Sequence, residues 1–150
     1  MIHVEGLSTA TPEVYSSALQ AGDYDVIVQA ASAEVSSKGS QGLKLEYVVE
    51  NGPDQTYEKR DGTVETQSPV GRHLFETAWL PHSGQKDGGD YCARHLAKIC
   101  EVLGVAQGDD LDEQEFIGKR CKVRVKVVTK DGEGNDLNDP RNEVTKRFEL

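Results

Sequence analysis

The cationic side chains that could bind a polyanion are concentrated in one short stretch, residues 118–130. This stretch has six basic residues and no acidic one, whereas the whole chain has a net charge of −9, so the remainder carries −15. Between residues 121 and 127 basic and apolar residues alternate strictly, which predicts a β-strand with one buried face and one cationic, exposed face. Such a stripe could follow a polyanion, or it could keep a sheet edge from pairing with other proteins. Its cations are Lys119, Arg120, Lys122, Arg124, Lys126 and Lys130.

Aromatic side chains that could stack on unpaired bases lie in two other predicted strands. Phe75 and Trp79 share one face of the third strand, and Tyr47 lies on the second. Binding to single strands without reading their sequence needs such rings beside backbone-following cations, and each stacked base contributes about 1–3 kcal/mol. Core packing is the alternative for all three rings, and it is favoured for Tyr47, which shares its phase with leucines and a valine. The candidate binding residues are Lys38, Lys44, Tyr47, Arg72, Phe75, Trp79, Lys119, Lys122, Arg124 and Lys126.

The thiols and imidazoles do not form a metal-binding pattern. Cys92, His95 and Cys100 fall on or near one predicted helix, but the chain has no Cys-x-x-Cys pair. Cysteines spaced among leucine and isoleucine on a helix are typical of core packing. The chain also lacks the motifs of a nucleophile elbow, a phosphate-binding loop or a zinc hydrolase, and the acidic residues at 109–115 are better explained as a solvated loop. The sequence therefore predicts a protein that is not an enzyme and has no metal or cofactor.

Length and composition predict a single domain spanning residues 1–150, since 150 residues can bury a substantial core. No apolar run approaches the roughly 18–20 residues that span a bilayer, and the N-terminal residues lack the pattern of a signal peptide. Three cysteines, an odd number, favour reduced thiols over a disulfide framework. We therefore expect a protein of the cytoplasm that does not associate with membranes.

The periodicity predicts five strands, one long helix and a short N-terminal helix. The N-terminal helix begins at Thr11-Pro12-Glu13, where a cap, a proline and an acid favour a helix start, and it ends at Gly22, forming an extension over residues 1–22. A helix with an apolar face is predicted over residues 90–103. The strands are predicted at residues 24–36, 43–49, 72–80, 119–129 and 142–148.

This order of elements is that of an OB-fold, a five-stranded Greek-key barrel with its helix between the third and fourth strands. The barrel is expected to be closed or nearly closed. Ligands of this fold lie across strands 2 and 3, between the loop that joins strands 1 and 2 and the loop that joins strands 4 and 5. The corresponding segments are residues 36–42 and 129–141, both rich in glycine or turn residues.

Several short motifs occur in a characteristic order along residues 22–148. They are Gly22-x-Tyr24, Ser36-Ser37-Lys38-Gly39, Leu43-x-Leu45-x-Tyr47-x-Val49, Gly71-Arg72, Leu103-Gly104 and Gly118-Lys119-x-Cys121-x-Val123-x-Val125. In these the chain resembles the small bacteriophage-encoded single-stranded DNA-binding proteins with an OB-fold. The resemblance implies a protein that coats single-stranded DNA without sequence specificity during phage replication or recombination, in the host bacterial cytoplasm.

The main partner that this resemblance implies is single-stranded DNA. Phage or host replication and recombination proteins are further candidate partners, and a homo-oligomer is compatible with it. A second interpretation uses the same barrel as a protein–protein adaptor in a phage replication or regulatory complex. The overall charge of −9 favours the adaptor, and the fold alone does not decide between them. A salt titration separates the two, because the release of counterions from DNA makes its binding steeply salt-dependent.

Overall fold

The protein is mainly β, as its alternating apolar pattern predicts. The computed structural model describes residues 1–10, 18–58, 61–81 and 89–150. Within these ranges there are seven strands, one α-helix and two short 3₁₀ helices at Leu7–Thr9 and Glu113–Phe116. The strands are β1 (Gly22–Val35), β2 (Gln41–Asn51), β3 (Gln55–Glu58), β4 (Val64–Gln67), β5 (His73–Trp79), β6 (Arg120–Lys130) and β7 (Asp136–Phe148), and the helix is α1 (Asp90–Leu103).

Five of the strands form one antiparallel sheet in the order β5-β2-β1-β6-β7. The predicted helix matches α1, and four predicted strands match β1, β2, β5 and β6 to within two residues at either end. Leu96, Ile99 and Leu103 of α1 are buried with the inward residues of the sheet, so the helix seals one side of the core. The predicted N-terminal helix starts within residues 11–17, which lie outside the described residues.

Three local predictions from the sequence are wrong. The sequence predicts no strand between residues 49 and 72, but this segment contains the separate β3–β4 hairpin, whose four-residue strands are too short and polar to give a periodic signal. Residues 129–141 are predicted to form a loop, yet Asp139 and Pro140 lie inside β7. This strand is an edge of the sheet and has a register shift there, which is where proline is tolerated. Val127 was predicted to be buried but is 38% exposed, beyond a bulge in the β6–β7 pairing.

The sheet is not the closed barrel that the sequence predicts. Its edge strands β5 and β7 approach each other, but in the part of the chain that the structure describes no ladder of backbone hydrogen bonds joins them. Side chains connect them instead. Arg147 of β7 forms an ion pair with both carboxylate oxygens of Glu76, which belongs to β5. The Tyr47 hydroxyl of β2 donates to Oε1 of the same carboxylate at 2.9 Å.

Gly52, in the turn after β2, permits a close approach of the chain to the buried ring of Tyr24. A Cβ atom at this position would lie against Cδ1 of that ring, 3.0 Å from Cε1, and 3.3 Å from Pro69 Cγ. We therefore expect Gly52→Ala to lower the free energy of unfolding by about 1–3 kcal/mol, because the ring is fully buried and must shift. Urea unfolding measures this. Gly108→Ala is the matched control, since nothing lies within 4 Å of its added Cβ, and an equal loss in both variants would contradict the prediction.

Candidate nucleic-acid interface

Strand β6 directs its cations to the exposed face of the sheet, and acidic side chains of the neighbouring strands meet them there. The pairing register places Asp23 opposite Arg124 and Asp25 opposite Lys122. Nitrogen–oxygen distances are 2.7 Å for Arg120–Glu50, 3.7 Å for Lys122–Asp25, 2.9 Å for Arg124–Asp23, 3.8 Å for Lys126–Glu143 and 3.9 Å for Lys130–Asp136. The segment that is most cationic in sequence is therefore interleaved with carboxylates in the folded protein.

These pairs reduce the positive potential that the sequence predicts along β6. Hydrogen bonds from Arg124 hold the pKa of the Asp23 carboxyl below its usual range, so this acid stays ionised at neutral pH. Exposed pairs of this kind add little to stability, but their acids stand where phosphates of a bound strand would have to lie. Only Lys119, in the turn before β6, has no carboxylate within ion-pairing distance among the described residues. The binding role of Lys122, Arg124 and Lys126 stays a prediction, and the local charge does not favour it.

A different exposed surface combines aromatic and cationic side chains, and we call it the β2–β5 face. It consists of the outward residues Lys44, Glu46, Phe75, Thr77 and Trp79. Cross-strand register sets Lys44 beside Thr77 and Glu46 beside Phe75. Phe75 is 53% exposed, and the Lys44 ammonium lies 5.4 Å from the centroid of its ring, within cation–π distance. The sequence correctly predicts that Phe75 and Trp79 share one face, and the structure places that face outside the core.

Trp79 lies at the end of the β2–β5 face, next to the turn between β1 and β2. Its partner across the sheet is Gly42, and a Cβ on Gly42 would come within 2.9 Å of the indole ring. The ring therefore packs closely against the backbone at Gly42, in a partly exposed position. Beside it is a depression of about 370 Å³ lined by Lys38, Gly39, Ser40, Gln41, Leu80 and Pro81. Lys38, at the exposed tip of the turn, is thereby brought to the same end of the sheet as Trp79.

Two of the predicted binding residues are positioned differently from the rest. Tyr47 is 0% exposed, so the prediction that it stacks on a base is wrong. Its ring lies in the core because it shares a face of β2 with the buried Leu43 and Leu45. Burial raises the pKa of its hydroxyl, which stays protonated and donates to Glu76. Burial raises the pKa of the Tyr24 hydroxyl, and the smaller effect of the Arg72 charge opposes this rise. Arg72 is half-buried and directly precedes β5. It is at the opposite end of β5 from Trp79.

Acidic side chains limit the positive charge of the β2–β5 face as well. The Glu46 carboxylate lies 2.7 Å from His73 Nδ1, and Glu34 of β1 accepts a hydrogen bond from the Thr77 hydroxyl at 2.8 Å. Lys38 and Lys44 have no carboxylate partner among the described residues. The face therefore offers two rings and one available cation, Lys44, and Lys38 is available in the turn next to Trp79. Sequence reasoning missed the acids, because they come from strands β1 and β2 and depend on register.

Cysteine and histidine side chains give no metal site in the described ranges, where no group of three potential ligands comes together. Burial raises the pKa of the Cys121 thiol to about 12, so this side chain is an unreactive core residue. Helix α1, within the described part of the chain, is neither long nor apolar enough to cross a membrane.

A family model described as "Protein of unknown function (DUF669)" matches residues 8–140, which is most of the chain. The protein belongs to the DUF669 family. The matched segment contains β1 to β6, α1 and the start of β7, so the whole β2–β5 face lies within the DUF669 domain. No curated protein matches the chain.

Proposed function

We propose that this DUF669 protein is an OB-fold protein that binds single-stranded DNA without sequence preference, in the replication or recombination of a bacteriophage. The observation that carries the proposal is the pairing of exposed Phe75 and Trp79 with Lys44 on one strand pair. The rings would act as stacking platforms, and the cation would follow the phosphates. The protein would hold bases apart from their complement and would itself do no chemistry.

The strand order supports the OB-fold part of this proposal. In that fold five strands form a partly open Greek-key barrel with a ligand face on strands 2 and 3. Counting only the large sheet, β2 and β5 are its second and third strands, and α1 falls between the third and fourth. The sheet edges β5 and β7, held together by Glu76 and Arg147, are where such a barrel would close.

Spacing along β5 supports more than one stacked base. Phe75 and Trp79 are four residues apart on the same face, a separation of about 13 Å at 3.3 Å per residue. They would therefore stack on different bases of one strand. Lys38 and Lys44 lie beside this path, whereas the cations of β6 lie on the far side of β1 and have carboxylate partners.

Neutral substitutions separate the two candidate cation tracks. We expect Lys44→Gln to weaken binding to a polythymidine oligomer several-fold and to reduce its salt slope by about 0.7, the value for one phosphate contact on a single strand. Fluorescence anisotropy at several salt concentrations measures both. The paired change Asp23→Asn with Arg124→Gln keeps the net charge and should leave affinity unchanged. If that pair weakens binding as much as Lys44→Gln, the DNA track follows β6.

A protein–protein adaptor is the second candidate function, and one surface favours it. Leu80, Leu96 and Leu111 line a groove of about 490 Å³ between α1 and the segment after it, and Asp109 lies on its rim. The adjoining acids at 110, 112, 113 and 115 make this region strongly negative, so the partner that it fits is a basic, partly apolar segment of another protein. An adaptor of this kind would not bind polythymidine at any salt concentration.

A further inference from the structure

A second concave surface lies where the edge strands of the sheet face each other, and we call it the β5–β7 cleft. It has a volume of about 410 Å³, in the range of small-ligand sites. Phe75 of β5, Tyr91 and His95 of α1, and Glu143 and Thr145 of β7 line its mouth. Phe75 belongs also to the β2–β5 face, so the two surfaces are continuous across the edge of the sheet.

The inner wall of the cleft contains charges that cancel each other. Glu76 and Arg147 are almost completely buried and form a two-point ion pair, with Nε of Arg147 donating at 2.7 Å. The Tyr47 hydroxyl supplies a further hydrogen bond to the carboxylate. Because Glu76 and Arg147 neutralise each other's charge, they give the cleft neither a net charge nor a free ion-pairing partner for a phosphate. A neutral ligand group suits it better.

Aromatic rings form the accessible walls of the cleft. Tyr91 is 68% exposed, and its ring centroid lies 6.1 Å from that of His95, with the planes tilted by 39°. Burial lowers the pKa of His95, so its imidazole is neutral at neutral pH. The facing backbone edges of β5 and β7 are not joined by a ladder in the described residues, which leaves hydrogen-bonding groups directed towards the gap between them.

We propose that the β5–β7 cleft holds a nucleobase of the bound strand, stacked on Tyr91 and hydrogen-bonded along the β7 edge. This inference rests on the proposed function and extends the DNA path beyond the β2–β5 face, from Trp79 past Phe75 and over the sheet edge. A base has a flat apolar surface and neutral polar edges, which correspond to the rings and backbone groups of the cleft. The cleft is expected to accept any base, because its buried charges pair with each other and Glu143 at its mouth lies 3.8 Å from the Lys126 ammonium.

Oligomers of two lengths test this inference. Polythymidines of about four and about sixteen nucleotides bracket the site sizes of OB-fold domains. We expect Tyr91→Ala to weaken binding of the longer oligomer by about 5- to 150-fold, the equivalent of one lost stack, and to leave binding of the shorter one unchanged. Lys98→Ala, an exposed change on the same helix outside the cleft lining, is the control and should bind both oligomers like the wild type.

The outcomes distinguish this inference from the proposed function. If Tyr91→Ala binds both oligomers like the control, while Phe75→Ala with Trp79→Ala weakens them, the cleft is not part of the path and the proposed function stands. If Tyr91→Ala weakens the binding of both oligomers equally, the cleft does not extend the DNA path, and the inference is overturned. If the wild type binds neither oligomer, the proposed function fails and the inference fails with it.

Discussion

Replacing Glu76 by alanine is expected to lower the free energy of unfolding by about 3–5 kcal/mol. The change leaves the guanidinium of Arg147 and the hydroxyl of Tyr47 without the carboxylate that both contact in the core. A buried charge that loses its partner keeps its full desolvation penalty. Because the pair also joins β5 to β7, the loss should fall on the contact between the two sheet edges. Urea unfolding followed by circular dichroism measures the effect.

Two further variants show whether the effect comes from the buried ion pair. Glu46→Ala removes a carboxylate from the neighbouring strand, where it meets His73 at the surface, and should lower stability by no more than about 1 kcal/mol. Glu76→Leu combined with Arg147→Met removes both charges and should recover much of the loss, because apolar replacements of a buried pair are often neutral or stabilising. If Glu76→Ala unfolds at the same urea concentration as Glu46→Ala, the ion pair does not hold the sheet edges together.

Removing both exposed rings of the β2–β5 face should nearly abolish DNA binding. Each stacked base contributes about 1–3 kcal/mol, and the two positions are far enough apart for their effects to add, so Phe75→Ala with Trp79→Ala should weaken binding by about 2–6 kcal/mol. Phe75 projects from the sheet and Trp79 is partly exposed, so the loss of stability should be much smaller than for core aromatics. Anisotropy of a labelled polythymidine oligomer measures the affinity.

The matched control for this double variant removes exposed apolar side chains elsewhere. Val64 and Val70 are 64% and 56% exposed and lie outside the β2–β5 face, so changing both to alanine should leave binding intact. Unchanged affinity in the Phe75–Trp79 variant, with a large loss of folding stability, would contradict the prediction and would place the two rings in a structural role.

Much of the sheet could be predicted from the sequence because alternation reports directly on burial. Cys121, Val123 and Val125 are buried between exposed or half-buried cations, as their period of two requires. Cys100 and Leu103 are buried on α1, as a helical period requires. Strand pairing beyond the nearest hairpin depends on distant contacts, and the expectation of a closed barrel failed at a junction of this kind, between β5 and β7.

The candidate site was less predictable, since its electrostatics depends on register. Asp23 and Asp25 are about a hundred residues from the cations that they meet, and only the alignment of β1 with β6 brings them together. Phe75 could be assigned to a face with Trp79 but not to the exposed side, because the residues between them include Glu76, a carboxylate that is buried rather than exposed. A buried acid inverts the usual inference that the polar phase of a strand faces water.

The emission of Trp79, the only tryptophan in the chain, tests most directly whether the β2–β5 face binds single-stranded DNA. Partly exposed in the free protein, the indole should stack on a base when DNA binds, so titration with polythymidine should reduce its fluorescence to a saturating level. Duplex DNA of equal length should reduce it far less, because its bases are already stacked on one another. Binding detected by anisotropy without a change in Trp79 emission, or no binding to polythymidine, would contradict this account.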